Sequence, residues 1–339
     1  MTTLDPLSDV LRSVRLRGSV FFHVSCRDQW SAFAAPSHEM GPAVMPGAEH
    51  VIEYHLMVRG EGWVAVDGEP PLRLREGDIV MLPHGDAHTV SSAPGLAPVD
   101  DDGAWLFQMR DDPKPIPITY SGGMFTAGTA LPPGDASSVL LCGFIACDLR
   151  PFNPLIDALP RLLHLPAKGV GSWVAPMLEH AAAETDDLRA GSAALLQRVS
   201  EMVFVDGARR YLDSLPPEAK GWLGALRDRQ VGRAITLMHG APAEPWTLEQ
   251  LGRRVGLSRS AMHERFVALT GMPPMQYLTN WRMQCGARLL RESHATVAAV
   301  AQDVGYDSEA AFARAFKRAT GLPPAAWRRA KQQQSTTAG

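Results

Sequence analysis

Cysteine is scarce in this sequence, with 4 residues among 339. The four, at positions 26, 142, 147 and 285, form no paired CxxC motifs and no evenly spaced framework. A disulfide-stabilised secreted module and a zinc ribbon are therefore both excluded. The sequence also lacks an uninterrupted run of about 18 apolar residues, and its N-terminus contains no apolar signal segment. We therefore expect no membrane span, no membrane partner and no signal peptide, and we expect a cytoplasmic protein.

The chain as a whole also lacks an excess of basic charge, since its formal net charge is −3. The charges are nevertheless segregated along the sequence. Residues 227–339 contain 16 basic and 8 acidic side chains, a net charge of +8, whereas residues 1–226 contain 17 basic and 28 acidic ones, a net charge of −11. Because a basic segment attracts phosphate groups, nucleic acid stays among the candidate partners of the C-terminal third.

The N-terminal part of the sequence is typical of short strands. Alternating or β-branched runs separated by Gly and Pro lie at residues 51–58, 62–66, 72–74, 78–82 and 138–147. This spacing predicts antiparallel strands in a small sandwich or barrel. Beyond Pro151 the apolar spacing changes to the helical period, and residues 192–211 have one apolar face. That face predicts packing within the domain or, as the alternative, a helix that pairs with its copy in a homodimer.

The C-terminal third contains an internal repeat. The run at 255–258 is echoed at 304–308, and residues 266, 270, 271, 273 and 274 recur 50 positions later as the same amino acids. In each copy a helix (248–255; 297–304) is followed by a glycine turn, an N-capping serine (Ser258; Ser308) and a second helix (259–270; 309–320). This is the pattern of a helix-turn-helix unit, whose second helix enters the major groove of DNA. Many helical hairpins bind no DNA, but the duplication and the basic charge favour DNA binding here.

The same region resembles a known family. The matching residues are Leu278, Trp281, Arg282, Ala287, Leu289, Leu290, Val300, Ala301, Val304, Gly305, Tyr306, Phe312, Arg314, Phe316, Lys317, Gly321, Pro323, Pro324, Trp327 and Arg328. Over residues 226–330 the sequence resembles the AraC/XylS family of bacterial transcription regulators. The resemblance implies two helix-turn-helix units joined by a linker helix at about 275–291, both facing double-stranded promoter DNA. We also expect a homodimer, formed through helices between Leu155 and Tyr211, and RNA polymerase as a partner if the protein is an activator.

The positions that lie near the starts of the second helices and off their apolar faces are candidates for DNA contact. We predict base contacts from Arg259, Ser260 and His263 in the first copy and from Glu309, Ala310 and Arg314 in the second. Phosphate contacts are expected from Arg265, Lys317 and Arg318, and Ser308 completes the set at the start of the second recognition helix.

Two motifs in the N-terminal part resemble those of cupins. Residues 77–88 fit the spacing G-x5-P-x-G-x2-H, and residues 53–60 fit E-x6-G. The segment 7–165 thus resembles the cupin-type ligand-binding domain of one branch of the AraC family. The H-x-H element expected before Glu53 is missing, and His50 is the histidine nearest to that place.

The cupin-like motifs contain candidate metal ligands. On a strand, Glu53 and His55 share a face, and His88 can meet them, which makes a divalent-metal set. His38, His50 and His84 are the candidates for additional ligands. The alternative is a cavity or core whose histidines are satisfied by hydrogen bonds.

A second hypothesis for the sensor is reversible oxidation of Cys26 and Cys142. The alternative is that both are buried cysteines that pack as small apolar residues.

The sequence therefore predicts an α+β multidomain protein, with a cupin-like β-barrel and following helices before an all-α double helix-turn-helix. The predicted segments are a sensor domain at 1–165, a helical linker or dimerisation segment at 166–220 and a DNA-binding domain at 221–339. The predicted function is that of a DNA-binding transcription regulator, not an enzyme, controlled by a small-molecule effector, a metal or an oxidant. The alternative is a metal-dependent cupin enzyme fused to a DNA-binding domain.

Overall fold

The computed structural model describes residues 5–99, 115–128, 131–132, 134–167, 173, 176–177 and 191–337. The chain forms two compact units, each discontinuous in sequence. The β unit contains residues 16–147 and 159–211, and the helical unit contains residues 1–15, 148–158 and 212–339. These units differ from the consecutive segments predicted at 1–165, 166–220 and 221–339. Much of the predicted linker segment, at 168–172, 174–175 and 178–190, lies outside the described residues.

The β unit is built from short strands, as the sequence predicts. The described strands are β1 (Arg17–Cys26), β2 (Ser31–Ala34), β3 (His50–Arg59), β4 (Glu61–Val66), β5 (Leu72–Arg75), β6 (Ile79–Leu82), β7 (His88–Ser91), β8 (Ile116–Ser121), β9 (Met124–Ala127), β10 (Ser138–Cys147) and β11 (Leu163–Leu165). The strand predictions are confirmed to within one residue at each end, because β-branched and apolar runs bounded by Gly and Pro are a local signal.

The strands form two sheets. One sheet has seven strands in the order β11-β6-β3-β10-β1-β8-β9, and the other has four in the order β2-β7-β4-β5. Neighbouring strands are antiparallel except β1 and β8, which are parallel. A core of buried apolar side chains contributed by both sheets joins them. The cupin-like β-rich domain predicted from the sequence is therefore confirmed.

Helices complete the β unit. They are α2 (Ser37–Val44) and most of a long helix that we number α4 (Ser192–Ser214). The hydroxyl of Tyr54, on β3, lies 2.7 Å from that of Ser200 on α4. A Cβ on Gly18 of β1 would lie 2.4 Å from the Cβ of Ser200, so the helix packs directly on the sheet. This contact supports the packing interpretation of the apolar face at 192–211.

The helical unit consists of short helices joined by tight turns. Its described helices are α1 (Pro6–Ser13), α3 (Pro154–Ala158), α5 (Gly221–Arg227), α6 (Arg229–Gly240), α7 (Leu248–Val255), α8 (Arg259–Thr270), α9 (Pro274–Glu292), α10 (Val297–Asp303), α11 (Glu309–Thr320) and α12 (Pro324–Thr337). The pairs α7–α8 and α10–α11 are the two predicted helix-turn-helix units, and α9 is the linker helix. Among the described helices none is long and apolar enough to cross a membrane.

Candidate functional site

Three polar side chains meet inside the β unit. Glu53 and His55 project from the same face of β3, as the strand period predicts, and His88 is the first residue of β7 in the other sheet. All three are buried. Their ligand atoms lie within 4.8 Å of one another, which makes them a candidate metal-binding group among the described residues.

Hydrogen bonds connect the two histidines into one chain with a cysteine. The Nδ1 atom of His88 lies 3.0 Å from the backbone oxygen of Asp86, an acceptor, so Nδ1 of His88 carries a proton. Nε2 of a neutral His88 must then accept from Nε2 of His55, 2.7 Å away. Nδ1 of His55 is left as an acceptor for the thiol of Cys142 at 3.0 Å. The contact between His55 and Cys142 is one that sequence reasoning missed, because these cross-strand partners lie 87 positions apart.

Burial makes this cluster electrically neutral near pH 7. It raises the pKa of Glu53 to about 8 and lowers that of His88 to about 4. Burial, together with the neighbouring His88, lowers the pKa of His55 well below its ordinary value. The same loss of solvation raises the pKa of the Cys142 thiol well above its ordinary value. A carboxylic acid, two neutral imidazoles and a thiol are therefore the species present.

The donor atoms are of the right type for a divalent metal, but their spacing is that of hydrogen bonds. Two imidazole nitrogens on one tetrahedral zinc ion, each about 2.0–2.1 Å from the metal, lie about 3.3 Å apart. The Nε2 atoms of His55 and His88 are 2.7 Å apart, and each is 3.7–4.0 Å from a Glu53 oxygen. The rings would have to separate before both nitrogens could bind one ion. The geometry thus matches the predicted alternative, in which the histidines satisfy each other.

The expectation of additional ligands from His38, His50 and His84 is wrong. Nε2 of His50 lies 2.6 Å from the backbone oxygen of Pro83, and Nε2 of His84 lies 2.9 Å from that of Leu159. His38 is exposed, with its ring beside Glu39. Backbone carbonyls therefore engage two of these rings and solvent surrounds the third.

The two cysteines proposed as a redox pair are buried and unbonded. On the antiparallel strands β1 and β10, Cys142 pairs with Phe22 and Cys26 pairs with Ser138. Cys26 is four residues from Phe22 along β1, so its Cα atom lies about 13 Å along the strand from the position opposite Cys142. A disulfide needs Cα atoms within about 7 Å. Burial also raises the pKa of Cys26 to about 12, so its thiol is protonated.

An apolar cavity of about 130 Å³ borders the cluster. Glu53, His55 and Cys142 are among its lining residues. The other lining side chains are mostly apolar and come from both sheets, among them Phe22, Trp30, Leu140 and Phe144. Phe33 also lines the cavity and is 53% exposed, so the cavity reaches the surface of the unit there.

The helical unit presents the predicted DNA-contacting residues on its surface. Arg259, Ser260, His263 and Arg265 on α8 are exposed, as are Glu309, Ala310, Arg314, Lys317 and Arg318 on α11. The buried faces of the two helices carry Met262 and Phe266, and Phe312 and Phe316. Ser258 and Ser308 accept hydrogen bonds from the backbone N–H groups of Ala261 and Ala311, as N-caps. The caps leave the first turn of each recognition helix at the surface.

Two of the predicted arginines already have acidic partners within the unit. Nε of Arg259 lies 3.1 Å from Glu249 on α7. The guanidinium of Arg265 donates to both carboxylate oxygens of Asp228, the N-cap of α6, at distances down to 2.5 Å. Burial raises the pKa of Asp228, but the hydrogen bonds from Arg265 and the backbone outweigh this effect and lower it. Arg265 therefore also fixes α8 to α6, a role that the sequence pattern did not reveal.

A buried polar network joins α5, α6 and the linker helix α9. The indole N–H of Trp222 donates to the hydroxyl of Tyr277 at 2.8 Å, and Nε2 of His239 lies 2.8 Å from the same oxygen. His239 stacks on Trp281, with ring centroids 3.7 Å apart. This network holds α5 and α6 on α9. The partners lie 38–55 positions apart, so no local sequence signal points to it.

Comparisons with known proteins agree with both units. A family model described as a cupin matches residues 5–213, and one described as a helix-turn-helix domain matches residues 251–330. The chain is similar to a putative AraC-like transcription regulator of Streptomyces lividans, with 32% identity over 96% of this chain and 98% of that protein. It is also similar to the HTH-type transcriptional regulator AlkR of Acinetobacter baylyi, with 27% identity over 93% of this chain and 96% of that one.

Among solved structures, the chain is similar to the DNA-binding domain of AdpA, a global transcriptional factor, in complex with a target DNA. The identity is 32% and the TM-score 0.31, over 32% of this chain and 96% of that one. The family is established by the cupin match, which spans more than half of the chain, and by the full-length similarity to the Streptomyces lividans regulator. The chain belongs to the AraC family of transcription regulators and combines a cupin-like N-terminal domain with a helix-turn-helix DNA-binding domain.

Proposed function

We propose that this regulator responds to a small, mostly apolar molecule that binds in the cavity of the β unit beside Glu53, His55 and Cys142. The observation that carries the proposal is the position of a neutral polar cluster in the wall of an otherwise apolar cavity. Ligand sites in proteins are mostly apolar with a few polar groups that orient the ligand. A cavity of about 130 Å³ suits a molecule of the size of benzene, which an apolar cavity of about 150 Å³ accommodates.

The chemistry of the cluster restricts the polar end of the ligand. With a pKa of about 8, Glu53 is mostly protonated at pH 7 and can donate a hydrogen bond. An acceptor such as a carbonyl or ether oxygen is therefore favoured at this end. A carboxylate ligand is disfavoured, because no described residue lining the cavity is basic apart from the neutral His55.

A divalent metal at Glu53, His55 and His88 is a second candidate signal. It is supported by the convergence of the three ligand atoms within 4.8 Å. Such an ion requires the imidazoles to separate from their present hydrogen bond. For an oxidant signal the burial of Cys26 and Cys142 is unfavourable, because buried thiols with raised pKa values react slowly. We therefore favour the small molecule over both.

In the helical unit, we propose that α8 and α11 enter the major groove of double-stranded promoter DNA. Base contacts come from Arg259, Ser260, His263, Glu309, Ala310 and Arg314, and phosphate contacts come from Arg265, Lys317 and Arg318. Ser308 orients the first turn of α11 as its cap. The regulator acts in the cytoplasm as a homodimer, with RNA polymerase as partner if it activates transcription, and it catalyses no reaction of its own.

Toluene is a suitable probe for the cavity. We expect a saturating concentration to raise the thermal unfolding temperature of the full-length protein, because a ligand that binds the folded state stabilises it. Ala32→Leu, which fills the cavity with a lining side chain, is expected to abolish the increase. Ala65→Leu on β4 of the same sheet, at a position that does not line the cavity, is the control and is expected to retain it. No increase with the wild type, or an equal increase with Ala32→Leu, contradicts the proposed site.

The DNA-reading role is tested by Arg259→Ala. We expect specific binding to weaken by about 1–3 kcal/mol, because a side chain that reads a base edge contributes about this much. The measurement is a mobility-shift titration at fixed salt on a duplex selected by the wild type from a random pool, with random DNA as competitor. Arg233→Ala, an exposed arginine on α6, is the control. Equal losses on selected and random DNA contradict base reading by Arg259.

A further inference from the structure

One buried carboxylate in the helical unit faces three basic side chains. Asp148 is 4% exposed. Its oxygens lie 2.8 Å from Nη1 of Arg291, 3.5 Å from Nζ of Lys331 and 3.6 Å from Nη2 of Arg15. The side chain of Lys331 is buried, and that of Arg291 is 13% exposed. Asp148 lies outside the helix-turn-helix match at 251–330, and the assigned function gives it no role.

The basic partners of Asp148 belong to the elements that hold the second helix-turn-helix unit. Arg291 is in the last turn of the linker helix α9, and Lys331 is on α12, which follows the recognition helix α11. The ammonium of Lys331 lies 4.8 Å from the centre of the Trp327 ring, and that ring packs edge-on against Phe316 of α11. A continuous set of contacts thus connects Asp148 to the recognition helix.

We propose that Asp148 is a positioning residue for DNA binding, which fixes the second helix-turn-helix unit on the linker helix. Buried cations need a carboxylate with good geometry, and removal of that carboxylate leaves an excess of positive charge in this region. Of the three cations, Arg291 also lies 3.2 Å from the exposed Glu292. α12 is also attached to the end of α9 through Arg328, which donates to the backbone oxygens of Leu290 and Ala295. Asp148 links the same two helices a second time, through Arg291 and Lys331.

The test uses Asp148→Asn in the full-length protein, with hydroxyl-radical footprinting on a duplex that the wild type selects from a random pool. We expect protection of the half-site of the second unit to disappear, and the affinity to fall tenfold or more. Protection of the half-site of the first unit is expected to persist. Arg314→Ala identifies the half-site of the second unit. Asp157→Asn, an exposed carboxylate on α3, is the control and is expected to leave the footprint unchanged.

Lys331→Met keeps the apolar stem over Trp327 and removes the charge, and it provides a double-mutant cycle with Asp148→Asn. We expect the Asn substitution to cost at least fivefold less affinity in the Met background, because one of the cations that face Asp148 is gone. If the single variant Asp148→Asn does not fold, the footprint of the double variant is compared with that of Lys331→Met instead. A wild-type footprint, an equal loss at both half-sites, or additive effects in the cycle overturn the proposal.

Discussion

At the scale of single residues, burial determines the charge state of the sensor cluster. Glu53 is 5% exposed and has no basic partner that is charged at neutral pH, since both neighbouring imidazoles have lowered pKa values. An isolated carboxylate in an apolar cavity costs more free energy than a carboxylic acid, which is why the pKa of Glu53 rises to about 8. The cluster can therefore be both buried and free of net charge.

The raised pKa of Glu53 predicts a loss of stability at mildly alkaline pH. Between pH 6.5 and 8 an unfolded Glu is ionised while folded Glu53 retains its proton, so the folded state binds more protons and loses stability as the pH rises. The lowered pKa values of His55 and His88 act in the opposite sense, mainly below pH 6.5, where an unfolded imidazole is mostly charged. We expect the free energy of unfolding to fall by about 1–2 kcal/mol over this window.

Urea unfolding of the wild type and of Glu53→Gln at pH 6.5 and 8, with a chelator present, checks this expectation. The amide cannot ionise, so Glu53→Gln is expected to lose less stability than the wild type over the same window. Glu76→Gln, at an exposed position, serves as the control and should follow the wild type. A wild-type slope that Glu53→Gln leaves unchanged shows that the carboxyl is already ionised at pH 6.5.

At the scale of elements, the two helix-turn-helix units share sequence signals but differ in their surroundings. The turn glycines Gly256 and Gly305 have φ values of +79° and +81°, a left-handed conformation that side chains with a Cβ oppose. A Cβ on Gly256 would meet nothing within 4 Å. A Cβ on Gly305 would lie 2.7 Å from the backbone oxygen of Ala243. The second turn is therefore constrained twice, by conformation and by a packed neighbour.

This difference predicts unequal effects of the same substitution. Gly256→Ala is expected to destabilise the protein by about 1–2 kcal/mol, the cost of a left-handed alanine. Gly305→Ala is expected to cost at least about 1 kcal/mol more, because the turn or Ala243 must also shift. Urea unfolding of the two variants under identical conditions measures the difference. Equal losses would mean that the segment around Ala243 moves away freely.

At the scale of the whole molecule, the helical unit is assembled from three separate stretches of sequence. The N-terminal helix α1 and the segment 148–158 belong to it together with residues 212–339. Leu7, Val10 and Val14 are at most 6% exposed. The side-chain amide of Gln284 on α9 donates to the backbone oxygen of Ser13 and accepts from the backbone N–H of Phe152. These contacts make both N-terminal pieces part of the unit that binds DNA.

A substitution in the first helix is therefore expected to destabilise the DNA-binding unit. Val10→Ala removes two buried carbon atoms and should cost about 2 kcal/mol, from lost burial and the cavity left behind. The measurement is urea unfolding of the full-length protein followed by far-ultraviolet circular dichroism, with DNA affinity measured in parallel. Arg12→Ala on the exposed side of the same helix is the control and should cost less than about 1 kcal/mol. A wild-type stability for Val10→Ala would mean that α1 is not docked in solution.

The parts of the fold that could be predicted are those with local signals. The recognition helices begin at capping serines and end at left-handed glycines, so their bounds follow from residues three or four apart. Both faces of β3 are buried, but the two-residue period of a strand correctly places Glu53 and His55 on one face. The expectation about His38, His50 and His84 failed because local patterns do not show where these rings lie. His50 and His84 contact backbone oxygens of distant residues, and His38 is exposed beside Glu39.

The sequence by itself thus determined the family, the double helix-turn-helix and the β-rich sensor, because capping, hydrophobic period and charge act over short distances along the chain. Only the tertiary structure decided that Cys142 completes the histidine chain, that Arg265 is engaged by Asp228 and that Asp148 gathers three cations. These contacts join residues 37 to 183 positions apart. Their free energies depend on burial and on distances of a few ångströms, which arise only when the whole chain has packed.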